Sequence, residues 1–192
     1  MRALVLGLLI FLGVHSIRIV AEDWRAEQIA RLGEKRWKAI VSLVSAVALV
    51  LLIWGYGQTR AMSVELWMPP TWTRHLASLL TVLAFVLLTA AYVRGNHVKA
   101  ALGHPMVAGV MLWAFAHLLA NGRLNDVLLF GAFFLWAVVD FVASRRRDRA
   151  AGTRYPQGTL PRDALVVAVG LGAWVLFAFA GHKWLIGVAP FG

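Results

Sequence analysis

The chain has 192 residues, 60% of them hydrophobic and 15% charged, with a mean hydropathy of +0.72. These proportions exclude an ordinary soluble domain and describe a polytopic membrane protein. The net charge of +10 does not by itself mean nucleic acid, because arginines beside apolar segments are topology determinants; the absence of cysteine excludes disulfides, thiolate metal sites and cysteine nucleophiles.

Six apolar segments predict an all-α membrane bundle of six transmembrane helices, occupying residues 1–192 as one domain. In chain order they are about Ala3–Val20, Ala39–Gly57, Leu76–Val93, Pro105–Ala120, Leu124–Ala143 and Ala164–Val188. The first, preceded by Arg2, has the outline of a cleavable signal peptide. No clean small-x-small site precedes Glu22-Asp23, so the segment is kept as a span. The fourth is short, and the fifth carries Asp126 and Asp140 near its ends.

The connections differ in character. Glu22–Lys38 sets Trp24, Leu32 and Trp37 among charges and reads either as an interfacial helix or as a solvated loop. Gln58–Thr73, with Met68-Pro69-Pro70 and two tryptophans, reads as an irregular outer loop resting on headgroups. Asn121-Gly122-Arg123 predicts a tight turn joining helices four and five as an antiparallel hairpin. Arg145–Pro161 reads as a loose linker whose arginines meet anionic lipid. Trp24, Trp37, Trp67, Trp72 and Trp184 fall near segment ends, as interfacial anchors do.

Fourteen lysines and arginines fall at connections one, three and five, and five fall on the other side. The positive-inside rule therefore places those three connections in the cytoplasm and both termini outside, as expected for a multi-pass membrane protein.

Chemistry centres on histidine, because imidazole inside hydrocarbon needs an internal partner, a polar cavity or a metal. The six are His15, His75, His97, His104, His117 and His182. His75 beside Arg74 reads as a headgroup contact and His97 as a loop residue. His104 precedes Pro105 at a helix start. His104 and His117 are 13 residues apart, about 20 Å along a helix, so they cannot hold one metal ion together. Beside His117 on one face lie Val110, Trp113, Ala114, Ala120 and Asn121, where alanines next to a large aromatic leave room for a flat ligand. A metal or haem ligand and an interhelical hydrogen bond are both open to His117. By segment boundaries the pairs of matched depth are His117 with His182 and His15 with His104.

The run His104-Pro105-Met106-Val107-x-Gly109, followed by Trp113-x-x-Ala116-His117, resembles the NnrU family of bacterial membrane proteins. The His15-Ser16 pair and the six-span layout are similar too, so the resemblance covers nearly the whole chain. It implies a role in denitrification, supporting nitrite and nitric oxide reductase activity. It also implies kinship with plant zeta-carotene isomerase, a haem b membrane enzyme whose two histidine ligands fall on His15 and His117. Where that enzyme has a cysteine three residues before its helix-four ligand, this chain has Ala114, so a thiolate ligand exchange cannot operate. Arg18, one turn from His15, is placed either to meet a haem propionate or to snorkel to lipid phosphate.

The resemblance thus implies a haem b redox or isomerase-like protein acting on a small, isoprenoid or lipid molecule. A cofactor-free accessory protein for the same reductases is the alternative. The His-Pro-x-x-x-Gly run is also distantly similar to integral membrane methyltransferases, whose further polar and acidic residues this chain lacks. No P-loop, dinucleotide fingerprint, zincin motif or hydrolase triad is present.

Overall fold

A computed structural model describes residues 1–191. Its helices are α1 (Arg2–Val20), α2 (Glu22–Leu32), α3 (Glu34–Thr59), α4 (Thr71–Tyr92), α5 (His97–Leu102), α6 (Pro105–Ala120), α7 (Leu124–Ala151) and α8 (Leu160–Leu176). A π-helical turn at Phe177–Gly181 carries α8 into a short α9 (His182–Ile186). Five helices, α1, α3, α4, α7 and α8 with its continuation, are long and apolar enough to cross a membrane. The sixth apolar helix, α6, has only 16 residues, about 24 Å against a hydrocarbon core of about 30 Å. Its ends explain its length: Pro105 sits in the first turn, where the missing N–H costs nothing, and Asn121 turns extended immediately after Ala120.

The helices meet through small residues, as expected where apolar lipid removes the hydrophobic drive between spans. Ala48, Ala84, Ala90, Ala114, Ala116 and Ala137 are fully buried, whereas Leu43, Val47, Leu79, Leu83 and Leu135 lie exposed on outward faces. The closest approach joins α1 to α3. A Cβ at Gly55 would stand 2.5 Å from the Leu4 backbone nitrogen, and one at Gly7 would stand 2.9 Å from that of Leu52. α4 packs against both α6 and α8, and α7 against both α6 and α1. The chain thereby closes around a core of Leu4, Leu8, Leu52, Ala114, Phe130 and Phe133.

Of the two readings of Glu22–Lys38, the helical one describes the chain. α2 begins on Glu22 and Asp23 and ends on Arg31, charges that match the helix dipole at each end. None of its residues is buried. Gly33, at φ +80°, breaks it from α3, and Trp24 and Trp37 then meet edge to face with ring centroids 5.7 Å apart. The outer connection after α3 is tied to the α6–α7 turn: Leu66 N–H donates to the Gly122 carbonyl at 2.8 Å and Leu124 N–H to that of Val64 at 2.9 Å. Gly122 is required there, because the Trp67 carbonyl occupies the space of a Cβ.

The connection after α7 differs from the loose linker expected. Glycine 152, in the left-handed region, ends α7, and the chain folds back. Tyr155 donates its hydroxyl proton to Asp148 at 2.8 Å, and His104 Nε2 lies 2.9 Å from the same carboxylate oxygen. Further on, Thr159 N–H donates to the Gly95 carbonyl, and Asp163 accepts from His97 N–H at 2.8 Å. The composition of the segment is that of a flexible linker, but Asp148 and Tyr155 are paired with each other and with His104, and Arg145 reaches the Leu102 carbonyl.

Burial and the hydrogen bond to Asp148 push the Tyr155 phenol above its ordinary value of 10. Raised in the folded state, this group stabilises the strap fully below pH 10 and loses that contribution as pH rises through its elevated value. Absorbance of tyrosinate should therefore show a late-titrating step that disappears in Tyr155→Phe. At neutral pH the same variant should be cut by trypsin at Arg154 about 5-fold faster, the equivalent of about 1 kcal/mol for one half-exposed charge-assisted bond.

Candidate functional site

At the end of the bundle away from the connection after α7, α3, α4, α6, α7 and the α8–α9 segment line an open cavity of about 550 Å³. This falls within the range typical of small-molecule and cofactor sites. Leu52, Phe85, Phe130, Phe133 and Phe177 supply apolar wall, and Trp113, Trp174, Tyr56, Asn121, His117 and His182 supply the rest of its character. His117 and His182 reach it from different elements, one from the last turn of α6 and the other from the first residue of α9.

Each imidazole is held in the same manner. His117 Nδ1 lies 2.8 Å from the Trp113 carbonyl, one turn back, and His182 Nδ1 lies 2.7 Å from the Val188 carbonyl. A carbonyl oxygen can only accept, so Nδ1 carries the proton in both rings, and in the neutral form Nε2 keeps its lone pair. This is the way metal-ligating histidines are fixed in tautomer and orientation. Phe130 stacks on His117 with centroids 4.4 Å apart, and Trp113 lies 5.1 Å away. Phe177 meets His182 edge-on at 5.8 Å. The π-helical turn matters here. It holds one residue more than an α-turn, so the residues after it are carried about 100° further round the axis, and the first of them is His182.

Most other polar side chains around the cavity are committed, Arg74 at its edge excepted. Tyr56 donates to the buried Asp126 at 2.6 Å, Trp174 Nε1–H to Thr81 at 3.0 Å, and Asn121 to the His117 carbonyl at 2.9 Å. Among the described residues no group of three or more histidine, aspartate or glutamate side chains is placed to hold a metal ion. What the cavity offers is two imidazole nitrogen donors in an aromatic surround, with one arginine at its edge.

The remaining candidate residues are distributed elsewhere. Trp113 lines the cavity, whereas Ala114 points into the core and is fully buried. His15 sits toward the other end of α1, half-buried between Phe11, stacked at 4.3 Å, and the edge of Trp136 at 6.0 Å. Its Nδ1 lies 2.7 Å from the Phe11 carbonyl, the same carbonyl-bound arrangement, but His15 is not among the cavity-lining residues. His104 is taken up by Asp148 and Tyr155, and Arg18, exposed, stands 3.9 Å from Glu22. His75 is exposed and His97 is paired with Asp163. Sequence reasoning passed over Arg74, Tyr56 and Trp174. Only the polar start of the third apolar segment marked the first of these, and nothing marked the other two.

In comparisons with known proteins, the NnrU protein family model matches residues 3–190. No curated protein and no solved structure matches the chain.

Proposed function

The chain belongs to the NnrU family, and from that premise and the histidine-bearing cavity we propose that it is a haem b-binding redox protein of the bacterial inner membrane, supporting nitrite and nitric oxide reduction. The observation that carries the reading is the sharing of one aromatic cavity by two carbonyl-anchored imidazoles. The donor set suits the group: two Nε2 atoms on separate elements, largely apolar walls, and no thiolate in the chain. The family resemblance favours His15 with His117, and the cavity favours His117 with His182.

When bound between two imidazoles, haem would supply one-electron redox chemistry. The chain's own residues do the rest. The Trp113 and Val188 carbonyls hold the two imidazole protons on Nδ1, which raises the basicity of Nε2. Phe130, Phe133 and Phe177 keep water from the centre and lower its dielectric, while the Tyr56–Asp126 bond ties α3 to α7 across one wall. By the charge asymmetry of the connections the cavity lies in the periplasmic half and both termini are periplasmic.

An absorption spectrum of protein purified after haem-replete expression tests the reading. A Soret band with low-spin features is the expected result. Colourless protein would leave the cofactor-free accessory role, and binding of S-adenosylmethionine by calorimetry would instead favour the methyltransferase.

A further inference from the structure

Among the described residues Arg74 is the only permanently charged side chain on the cavity wall, and no Asp or Glu lines it. Among the described residues its guanidinium has neither an ion-pair nor a hydrogen-bond partner; only its backbone carbonyl is used, by Ser78. Two neighbouring arginines at this end of the bundle are already occupied, Arg60 by the Ile186 carbonyl and Arg123 by the Arg60 carbonyl. Arg74 occupies the fourth position of α4 and is exposed at the mouth.

Below it, Ser78, Thr81 and Phe85 follow at helical spacing along the same stripe of α4, all on the cavity wall. Arg74 to Phe85 spans about 16 Å along the axis. The wall therefore grades from cationic, through hydroxyl, to aromatic as it enters the membrane. An occupant complementary to that gradient is amphipathic, with an apolar body inward and an anionic end at the rim. A guanidinium matches a carboxylate in geometry as well as in charge.

We propose that Arg74 anchors the carboxylate of the cavity's occupant, making the cavity selective for amphipathic carboxylic acids. The inference rests on the cavity being a ligand site, though not on the ligand being haem. A haem propionate and a fatty-acid-like headgroup present the same chemistry.

The test uses the full-length protein in detergent with two pairs of probes. One pair is haem and haem dimethyl ester, followed by Soret absorbance. The other is cis-parinaric acid and its methyl ester, followed by fluorescence. On at least one scaffold the wild type should bind the free acid about 10-fold more tightly than the ester. Arg74→Gln should lose that preference while binding the ester as before, and Arg74→Lys should retain part of it. Equal binding of acid and ester by the wild type on both scaffolds, or an Arg74→Gln protein that keeps the preference, would overturn the proposal. So would a failure to bind either scaffold. Porphyrin binding with no acid preference on either scaffold sinks the anchor and spares the haem reading. A parinarate preference without porphyrin binding does the reverse.

Discussion

His182→Ala is expected to remove the low-spin haem spectrum as completely as His117→Ala does, with haem affinity falling at least about 10-fold in each, whereas His15→Ala leaves the spectrum nearly unchanged. The reason is positional. His117 and His182 line one cavity, and His15 stands outside it against Phe11 and Trp136. Each ring has its Nδ1 on a carbonyl, so orientation does not separate the three candidates; location does. Reconstitution with haem, followed by reduced-minus-oxidised difference spectra of the three variants, decides between the pairs. A spectrum lost in His15→Ala and kept in His182→Ala would restore the pair implied by the family resemblance.

Gly55→Leu is expected to destabilise the bundle strongly at the α1–α3 contact. The first side-chain atom alone would lie 2.5 Å from the Leu4 nitrogen and 2.8 Å from the Ala3 carbonyl carbon. These are backbone atoms of a helix, so no rotamer change relieves the clash and α1 must move away from α3. Overpacking of this kind costs about 1–3 kcal/mol where side chains can yield, and more where they cannot. Because α3 also brings Leu52 and Tyr56 to the cavity, ligand binding should weaken together with stability. Gly57→Leu is the control: two residues on, nothing stands within 4 Å of its Cβ position, so its thermal midpoint in detergent should stay near that of the wild type. A Gly55→Leu protein that melts with the wild type would remove the claim that small residues set the α1–α3 approach.

Several features were legible along the chain because each depends on neighbouring residues. The Pro105 helix start, the turn at Asn121-Gly122-Arg123 and the tryptophans at segment ends all appear in the folded chain. Others depend on residues far apart. The partner of His104 is Asp148, 44 positions later, and that of Tyr56 is Asp126, 70 positions later. Neither pairing leaves a periodicity that a linear reading could detect. The Arg145–Pro161 segment looked loose for the same reason, since two of its anchors, His104 and the Gly95 carbonyl, lie dozens of positions earlier in the chain.

By itself the sequence determined that this protein is a membrane bundle of apolar helices, with histidines within or at the ends of several of them. Hydrocarbon thickness and the lack of backbone partners in lipid permit few other solutions for a chain of this composition. Which imidazoles share a chamber was decided only by the tertiary structure. Helix facing depends on where glycines and alanines let backbones approach, and on a single π turn that rotates His182 relative to the helix before it. One residue of phase moves a side chain by about 100°, enough to exchange lipid for cavity, and hydropathy does not register the difference.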